Sequence, residues 1–397
     1  MSEIDLGLTL LSLTIWIGLL SLRGQFWRVD QQLEVGETKL TDFPAVCAVI
    51  PARNEAELLP ITLRSLLVQD YPGCFNIFLV DDGSTDGTSK VAQETAQELA
   101  KEEQLHILAA ETLPPGWTGK LWAVEQGIRA VEKLNNTSKE APKYILLTDA
   151  DIEHDVSNLR RLVTKALQED LDLVSVMVKL RCESFWEQLL IPAFVFFFQK
   201  LYPFRWVNDP SKVTAAAAGG CILIRPDALA RIGGIQVVRQ ALIDDCALGM
   251  AVKRGGSSPH GRIWLGLSAL TRSLRPYPTL DTIWDMVART AFTQLNYSPL
   301  LLLGTLLGMT LIYLIPPLAL IFGSLTFNWL LAAIGFMGWL LMSLAYLPTI
   351  RFYKCPIWLA CCLPMIALLY NLMTIDSAWR HWQGQGGAWK GRVYSKP

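Results

Sequence analysis

The sequence predicts an α/β protein in which a mostly parallel sheet with flanking helices is joined to membrane helices at both ends of the chain. Two patterns predict this class. Short strand-like runs alternate with helical segments through the middle of the chain, and long apolar runs lie near its two ends. Hydrophobic residues make up 51% of the 397 residues and charged residues only 18%. This composition is too apolar for an ordinary pair of soluble domains.

The first apolar run covers residues 6–22, and Arg23 and Arg28 follow it. About 20 apolar residues are needed to span the hydrocarbon core, so this run is at the short end for a spanning helix. A cleaved signal peptide would have its basic residues before the run and a small-residue cleavage site after it. The reversed charge order predicts an uncleaved anchor over residues 1–28, with its C-terminal side in the cytoplasm.

Three further apolar runs lie near the end of the chain, at residues 299–322, 329–347 and 357–373. Each approaches or exceeds the spanning length, which predicts membrane helices over residues 298–374. Three crossings after a cytoplasmic domain would place the tail, residues 375–397, outside. The tail region is basic, with Arg380, Lys390, Arg392 and Lys396, and basic residues favour the inside. Either one apolar segment is re-entrant or interfacial, or the tail departs from the tendency.

Alternating strand and helix patterns predict a domain over residues 41–275. Strands are predicted at 45–50, 75–80, 144–147 and 173–178, and helices at 56–68, 85–101, 120–133 and 157–168. Such alternation indicates parallel strands with right-handed crossovers. Ligands bind such sheets beyond the carboxyl ends of the strands, so the functional residues are expected there.

Residues 185–206 have a different pattern, rich in aromatic side chains. The uninterrupted apolar run within them, 189–198, is too short to span a bilayer, and aromatic and basic residues flank it. This favours a helix in the plane of the membrane interface, with a buried core helix as the alternative. Residues 276–297 are interpreted as a further interfacial segment.

Charge and cysteine usage exclude some classes of function. The formal net charge of −1 gives no reason to propose nucleic acid as a partner. The eight cysteines show no paired Cys-x-x-Cys spacing, and four histidines are few, so both argue against a zinc site. The cysteines are interpreted as small buried hydrophobic residues in a reducing compartment.

The first of three acidic clusters is Asp81-Asp82, which ends a predicted strand and precedes a Gly-Ser turn. Carboxylates at the mouth of a sheet can accept hydrogen bonds from a nucleobase or ribose. The alternative is a purely structural Asp-Gly turn, with Ser84 or Thr85 capping the next helix.

The second cluster, Asp149 and Asp151, directly follows a predicted strand. Two carboxylates two residues apart can converge on one hard cation. An oxygen-only site suits Mg²⁺ or Mn²⁺, which retain some waters and bind substrate phosphates. Such an ion would neutralise a diphosphate leaving group.

The third cluster, Asp244-Asp245, lies at a predicted helix start. Acidic residues stabilise a helix N-terminus, so a structural cap is one interpretation. The functional interpretation is a general base that deprotonates an acceptor hydroxyl as it attacks an anomeric carbon.

The order of three motifs resembles the family 2 glycosyltransferases of GT-A fold over residues 44–255. The motifs are the stretch 49–55 (VIPARNE), the Asp-Asp-Gly-Ser turn and Asp149-Ala150-Asp151. The stretches 115–123, 261–266 and 271–277 are similar to those of a membrane-bound branch of that family. This branch contains the hopanoid-associated, carotenoid and ceramide glycosyltransferases.

The resemblance implies a role for each matching residue. On the donor side, the nucleotide pocket would be lined by Pro51, Ala52 and Glu55, the nucleobase would be contacted by Asp81 or Asp82, and the diphosphate would be approached by Lys120. Asp149 would contact the ribose or diphosphate side and would join Asp151 at the metal. The acceptor-side loop would consist of Gly219 and Gly220, and Asp245 would be the catalytic base of an inverting displacement. Independently of the resemblance, paired glycines permit a substrate to approach the main chain closely.

Two departures from the family pattern bear on these roles. The family base usually follows a glutamate but here follows Asp244, so either aspartate remains a candidate base. Processive and ceramide-type relatives carry a Gln/Arg-x-x-Arg-Trp stretch near the membrane. Residues 286–290 keep only Arg289 of it, which argues against a polymer synthase. Arg289 is either a diphosphate contact or a basic residue at the membrane interface. A diphosphate contact suits the side chain because a guanidinium group forms bidentate hydrogen bonds with phosphate.

The sequence therefore predicts an inverting, metal-dependent glycosyltransferase embedded in the cytoplasmic membrane. It would move one sugar from a UDP- or GDP-linked donor to a hydroxyl of a membrane lipid such as a hopanoid, carotenoid or ceramide-like lipid. One alternative is a polyprenyl-phosphate sugar synthase, whose acceptor is already a phosphate and needs no base. The other is a catalytically silent membrane protein that organises lipid enzymes.

Overall fold

The computed structural model describes residues 3–33, 42–135, 141–255, 261–384, 388–389 and 392–393. The chain divides into two compact units. The helical unit comprises Met1–Asp30, Cys182–Arg205 and Tyr277–Gly387, and the sheet unit comprises Gln31–Arg181, Trp206–Pro276 and Ala388–Pro397. Each unit is thus assembled from segments that are distant in sequence.

The α-helices are, in chain order, α1 (Glu3–Leu22), α2 (Leu59–Leu67), α3 (Thr88–Glu98), α4 (Gly119–Asn135), α5 (Asn158–Gln168), α6 (Phe185–Leu201), α7 (Phe204–Asn208), α8 (Pro226–Arg231), α9 (Asp244–Arg254), α10 (Leu280–Ala288), α11 (Ala291–Gln294), α12 (Pro299–Met309), α13 (Ile315–Leu325), α14 (Trp329–Phe352) and α15 (Leu363–Trp382). Short 3₁₀ helices cover Glu102–Gln104, Ile235–Val238 and Ile357–Cys362.

The strands of the sheet unit are β1 (Val46–Ala52), β2 (Phe75–Asp81), β3 (Leu105–Ala109), β4 (Tyr144–Thr148), β5 (Ile152–Glu153), β6 (Leu173–Lys179), β7 (Cys221–Ile224) and β8 (Ile263–Ser273). They form one eight-stranded sheet in the order β3-β2-β1-β4-β7-β6-β8-β5. The pairs β1–β2, β1–β4, β2–β3 and β6–β8 are parallel, whereas β7 and β5 pair antiparallel with their neighbours. A separate two-stranded ribbon joins β9 (Ala388–Trp389) and β10 (Arg392–Val393).

The core of the sheet lies around β1, which is buried at all seven positions. A strand covered by helices on both faces needs a near-continuous apolar run, and β1 has one. Helix α4 packs so closely on this strand that a Cβ on Gly127 would lie 2.4 Å from Cγ1 of Val49. The glycine therefore sets the distance between α4 and the sheet.

The prediction of a mostly parallel sheet with flanking helices is confirmed, and its predicted strands and helices are all present with shifted ends. Strands β3, β5, β7 and β8 were not predicted. Strand β7 runs antiparallel to β4 and β6, and the chain between β6 and β7 passes through Cys182–Arg205 of the helical unit.

Among its described residues, the helical unit has four helices that are long and apolar enough to cross a membrane, judged by length and composition: Asp5–Leu22, Pro299–Leu325, Trp329–Phe352 and Ile357–Trp382. They correspond to the four predicted apolar runs. The second contains a π-helical turn, Thr310–Leu314, just before Pro316 and Pro317. Proline removes a backbone donor, so a local change of helix type is expected there.

The aromatic segment predicted at 185–206 forms α6 followed by α7. Ser184 and Glu187 form a capping box that begins α6. Inside the helical unit α6 packs its buried side across three other helical segments, since Phe197 contacts the rings of Tyr313 and Tyr370, and Phe196 contacts Tyr346. Whether α6 lies at a membrane interface stays a prediction.

Candidate active site

Within the sheet unit, a cavity opens where β1 and β4 end and where α4 and α9 begin. Six of the predicted site residues line it: Pro51, Lys120, Asp149, Gly219, Asp244 and Asp245. Apolar side chains such as Leu121, Val124 and Ile222 form the rest of the wall. Asp149 of the second acidic cluster and both aspartates of the third, far apart in the chain, therefore share one cavity.

Lys120 is the cation at the centre of this cavity. Its Nζ lies 2.9 Å from Oδ1 of Asp149 and 3.5 Å from Oδ2 of Asp244. Burial opposes the charge of Lys120, but the two carboxylates outweigh burial, so the pKa of Lys120 is raised. The ammonium group stays charged and available to a phosphate.

Asp245 is held by the main chain. Its Oδ2 accepts from the backbone N–H of Gly219 at 2.9 Å, and its Oδ1 accepts from its neighbour Cys246 at 2.7 Å. Burial and the charge of Asp244 raise the pKa of Asp245 to about 6, although the two N–H groups and Lys120 oppose the shift. A carboxylate with such a pKa is ionised at neutral pH and is a better proton acceptor than an ordinary aspartate.

The two glycines between α7 and β7 have different surroundings. A Cβ on Gly219 would lie 3.5 Å from both Asp245 Oδ2 and Lys120 Nζ, and would therefore project between these two groups. A Cβ on Gly220 would instead press on Val178 and Ile152 of the sheet. Gly219 keeps the cavity open, whereas Gly220 allows close packing beneath it.

Asp151 is joined to Arg275, which follows β8. Nε of Arg275 lies 2.6 Å from Oδ2 of Asp151, and its Nη2 lies 2.7 Å from Oε1 of Glu55. Burial, followed by the charge of Asp149, raises the pKa of Asp151, while Arg275 opposes that rise. Arg275 thus connects the nucleotide-pocket candidate Glu55 with the metal-binding candidate Asp151.

The donor set of Asp149 and Asp151 fits a hard divalent cation. Lys120 contacts one oxygen of Asp149 and Arg275 contacts one oxygen of Asp151, so an ion would take the other oxygen of each. Among the described residues, His, Cys, Asp and Glu form no cluster of three or more that could hold a metal. Substrate phosphates and water would have to complete the shell, as is usual for Mg²⁺.

A buried histidine supports the loop that carries both aspartates. Thr148 Oγ1 donates to the carbonyl of Gly220 at 2.8 Å and contacts His154 Nε2 at 2.9 Å, and Asn158 Nδ2 lies 2.9 Å from His154 Nδ1. Since the Thr148 proton is used, His154 Nε2 must donate and Nδ1 must accept, which is the neutral ring. Burial lowers the pKa of His154 to about 3.

The first acidic cluster divides into a turn residue and a buried residue. Asp81 accepts hydrogen bonds from the backbone N–H of Ser84 and from the hydroxyl of Ser89, so both of its oxygens stabilise the turn. Asp82 is buried, and Nη1 of Arg53 lies 3.5 Å from its Oδ2. The contact of either aspartate with a nucleobase stays a prediction.

Seven of the predicted residues are not part of the cavity lining: Ala52, Glu55, Asp81, Asp82, Asp151, Gly220 and Arg289. Ala52 ends β1 and is paired in register with Asp81 of β2. Arg289 belongs to the helical unit, where it is exposed at the end of α10, so its contact with a diphosphate stays a prediction.

Sequence reasoning assigned no role to Arg275, Arg53 or His154. Arg275 lies in the stretch 271–277, which is one of the motifs in the sequence, but that motif does not indicate which residues Arg275 contacts. Asp151 lies 124 positions and Glu55 lies 220 positions from Arg275, and no local pattern reveals such a pairing.

The sheet order, with acidic residues collected at the carboxyl ends of its strands, defines a fold of the GT-A type. Residues 47–233 match the profile of the family described as "Glycosyl transferase family 2". The similarity to family 2 glycosyltransferases thus covers this part of the chain, which includes β1 to β7 of the sheet.

Curated relatives match about a third of the chain. An uncharacterized protein of Methanocaldococcus jannaschii is 32% identical over 128 residues, which cover 32% of this chain and 44% of that protein. The undecaprenyl-phosphate mannosyltransferase of Micrococcus luteus is 30% identical over 127 residues, which cover 32% of this chain and 46% of that enzyme. The chain thus spans less than half the length of these relatives.

Among solved structures, the mannosyltransferase PcManGT from Pyrobaculum calidifontis, in complex with GDP-Man and Mn²⁺, superposes with a TM-score of 0.53. The two chains are 17% identical, and the match covers 96% of each. This likeness extends the shared fold over nearly the whole chain.

Proposed function

We propose that this protein is an inverting glycosyltransferase that moves a single sugar from a UDP- or GDP-linked donor to a hydroxyl of a membrane lipid. The observation that carries the proposal is the cavity in which Asp245, held by two backbone N–H groups, faces Lys120 and Asp149. It combines a proton acceptor with a cation suited to a diphosphate.

The donor would occupy the strand ends. Pro51, Ala52 and Glu55 lie at the end of β1 and just beyond it, and Asp82 lies at the end of β2 beside them. We assign the nucleoside to these residues. Lys120 would then receive the diphosphate, because its ammonium group is the charged donor that projects into the cavity.

The chemical step needs one proton acceptor and one stabilised leaving group. Asp245 takes the proton of the acceptor hydroxyl while the hydroxyl oxygen attacks the anomeric carbon. The bond between that carbon and the diphosphate oxygen breaks, the configuration inverts, and the nucleoside diphosphate leaves with the electron pair. Lys120 offsets the charge that develops on the leaving diphosphate.

Asp149 and Asp151 would hold Mg²⁺ or Mn²⁺. When bound, the ion supplies further charge neutralisation at the diphosphate. The complex of PcManGT with GDP-Man and Mn²⁺ makes GDP-mannose with Mn²⁺ the first pair to test.

A membrane lipid is the proposed acceptor because the helical unit offers four apolar helices of spanning length. A soluble acceptor would not require such a tether, whereas a bilayer-resident hydroxyl would reach a site held at the surface. Arg23 and Arg28 directly after α1 support a cytoplasmic position for the sheet unit that follows. Hopanoids, carotenoids and ceramide-like lipids are the hydroxyl-bearing classes that we propose.

A second candidate acceptor is a polyprenyl phosphate. It is favoured by the similarity to the undecaprenyl-phosphate mannosyltransferase of Micrococcus luteus. A phosphate oxygen is already ionised, so this reaction would proceed without a general base.

The test is transfer by purified full-length protein in detergent or nanodiscs. Labelled GDP-mannose and UDP-glucose are each offered with Mn²⁺, Mg²⁺ or EDTA, and with a hydroxyl lipid or a polyprenyl phosphate. We expect metal-dependent transfer to the hydroxyl lipid, lost in Asp151→Ala and in Asp245→Asn. Asp70→Asn, an exposed carboxylate paired with Arg160, is the control that keeps activity.

Three outcomes would contradict parts of the proposal. Undiminished transfer by Asp151→Ala or Asp245→Asn would overturn the role of that residue. Transfer to polyprenyl phosphate alone, independent of Asp245, would replace the acceptor class. Calorimetry that detects no binding of either nucleotide sugar would favour the catalytically silent membrane protein.

A further inference from the structure

Arg275 forms an ion-pair bridge between two carboxylates that come from different strand ends. Its Nε contacts Asp151 at 2.6 Å and its Nη2 contacts Glu55 at 2.7 Å. The side chains of Glu55 and Asp151 are only 10% and 12% exposed, while that of Arg275 is 32% exposed. Hydrogen bonds between ionised groups that are largely buried from solvent are strong and directional.

This bridge uses one oxygen of Asp151, a carboxylate that would hold the metal ion through its other oxygen. An arginine side chain stays protonated, so it cannot release Asp151 by losing its charge. A divalent cation that approaches Asp151 therefore meets a fixed positive charge within a few ångströms. Binding of the cation alone is opposed, unless a negative group arrives that attracts both the cation and the guanidinium.

We infer that Arg275 is a positioning residue that makes metal binding depend on the nucleotide diphosphate. Without nucleotide, Arg275 neutralises Asp151 and keeps the affinity for the cation low. With the diphosphate present, its negative charge attracts the guanidinium group of Arg275 and also stabilises the cation beside it. By linkage, the cation must raise the affinity for the nucleotide by the same factor. This inference rests on the proposed function.

The test measures binding, without turnover. Mn²⁺ affinity is measured by electron paramagnetic resonance of the free ion, with and without GDP or UDP, and nucleotide affinity by calorimetry. The variant is Arg275→Met. Its matched control is Arg272→Met, which removes an arginine that contacts Glu153 on the neighbouring β5 and is 62% exposed.

We expect Arg275→Met to bind Mn²⁺ alone about tenfold more tightly and nucleotide about tenfold more weakly, the scale of one charge-assisted hydrogen bond. The factor by which nucleotide enhances Mn²⁺ affinity should fall, while Arg272→Met matches the wild type. Arg275→Lys keeps the positive charge but cannot form the two-pronged hydrogen bonds of a guanidinium group. It should retain the low affinity for Mn²⁺ alone. Circular dichroism of each variant verifies folding.

Two failures are distinguishable. If wild-type protein binds neither GDP nor UDP in the presence of Mn²⁺, the proposed function fails. If wild-type protein binds them and Arg275→Met keeps the same Mn²⁺ affinity and the same enhancement, only the role of Arg275 is overturned.

A second inference concerns the last apolar segment and uses only the helical unit. Helices α13 and α14 form a tight antiparallel hairpin, because only residues 326–328 join them. A Cβ on Gly335 would lie 2.6 Å from the carbonyl oxygen of Pro316, and one on Gly323 would lie 2.5 Å from the nitrogen of Ala332. The end of α14 at Phe352 therefore lies on the same side of the unit as the start of α12.

The segment after α14 turns back halfway along it. Nε1 of Trp339, near the middle of α14, donates to the carbonyl of Cys361 at 3.0 Å. The part that leads there, Ile357–Cys362, is a 3₁₀ helix of six residues. At about 2 Å per residue it rises about 12 Å, less than half of the hydrocarbon thickness.

Helix α15 then returns to the side on which α14 ended. Ala378 packs with Phe292 and with Leu302 in the first turn of α12. Two residues later Nη1 of Arg380 lies 2.7 Å from Oδ1 of Asp285 of α10. The segment thus enters and leaves at one side of the unit.

We propose that Ile357–Trp382 is a re-entrant hairpin, so that the C-terminal end of α15 lies on the same side as the end of α1. This arrangement removes the conflict in the sequence, because Arg23, Arg351 and Arg380 then share one side. The opposite side receives the acidic start of α1 and the turn at residues 326–328, which contains no basic residue. The charge distribution then follows the positive-inside tendency.

The test places two epitope tags in the full-length chain, one between Phe327 and Asn328 and one after Pro397. Antibody access is measured in intact and permeabilised spheroplasts. A re-entrant hairpin puts the two tags on opposite sides, so only one is accessible before permeabilisation. A third crossing puts both tags on one side, and equal accessibility of the two would overturn the proposal. Retained membrane fractionation verifies insertion of each tagged protein.

Discussion

The backbone N–H of Gly219 donates to Oδ2 of Asp245 at 2.9 Å, and this bond fixes the carboxylate that faces Lys120 in the cavity. Gly219 precedes β7 and Asp245 lies in the first turn of α9, so two elements must be in place to form the contact.

The first prediction separates the two adjacent aspartates. Asp245→Asn should lower kcat by about 10²–10⁴-fold, the usual contribution of a general base. Asp244→Asn should retain most of kcat, because the Asp244 carboxylate pairs with Lys120 at 3.5 Å and has no other role in the step. Steady-state kinetics with a hydroxyl lipid measures both. The opposite ranking of the two variants would make Asp244 the base.

The second prediction concerns the pH dependence of kcat/KM. Because the pKa of Asp245 is raised to about 6, activity should fall as the pH drops through about 6 and the base becomes protonated. Asp244 raises this pKa and Lys120 lowers it. The acidic limb should therefore move to lower pH in Asp244→Asn and to higher pH in Lys120→Met. A limb that stays in place in both variants would show that another group titrates.

The third prediction contrasts the two glycines. Gly219→Ala adds a methyl group between Asp245 and Lys120 and should lower kcat/KM by about 10- to 100-fold through displaced substrate, with little change in melting temperature. Gly220→Ala would place its Cβ 3.2 Å from Val178 and should cost about 1–3 kcal/mol of stability by overpacking.

Gly304→Ala is the control for both, since its Cβ would meet no atom within 4 Å. Kinetics and thermal unfolding are measured on all three variants. A loss of stability without a loss of activity in Gly219→Ala would contradict its placement at the substrate cavity.

The fourth prediction concerns stability at acid pH. His154 has a pKa of about 3 in the folded protein against an ordinary value of 6.5. Below pH 6.5 the imidazole of His154 binds a proton in the unfolded chain but stays neutral in the folded protein. The free energy of unfolding should therefore fall by up to about 1.4 kcal/mol per pH unit from this residue alone.

His154→Gln cannot titrate but can still donate to Thr148 and accept from Asn158. Its thermal unfolding should depend less on pH between about 6 and 4 than that of the wild type. Identical slopes would contradict the assignment of a neutral, buried imidazole.

Local patterns determined much of the fold. The structure contains the strands predicted at 45–50, 75–80, 144–147 and 173–178 and the helices predicted near them. The strands were predictable because a buried parallel strand requires a continuous apolar run. The four apolar runs likewise correspond to the four long helices. The short strand β7 and its antiparallel direction were not predicted, since four apolar residues carry little periodic signal.

The sequence by itself thus determined which residues carry charge, which strand ends hold carboxylates and where apolar helices lie. Only the tertiary structure decided which of these groups meet. It brought Lys120 to Asp149 and Asp244, placed Arg275 between Glu55 and Asp151, and turned the last apolar segment back at Trp339. The physical reason is that hydrophobicity and backbone preference act within a few residues along the chain, whereas ion pairs and close packing join atoms that only the completed fold brings together.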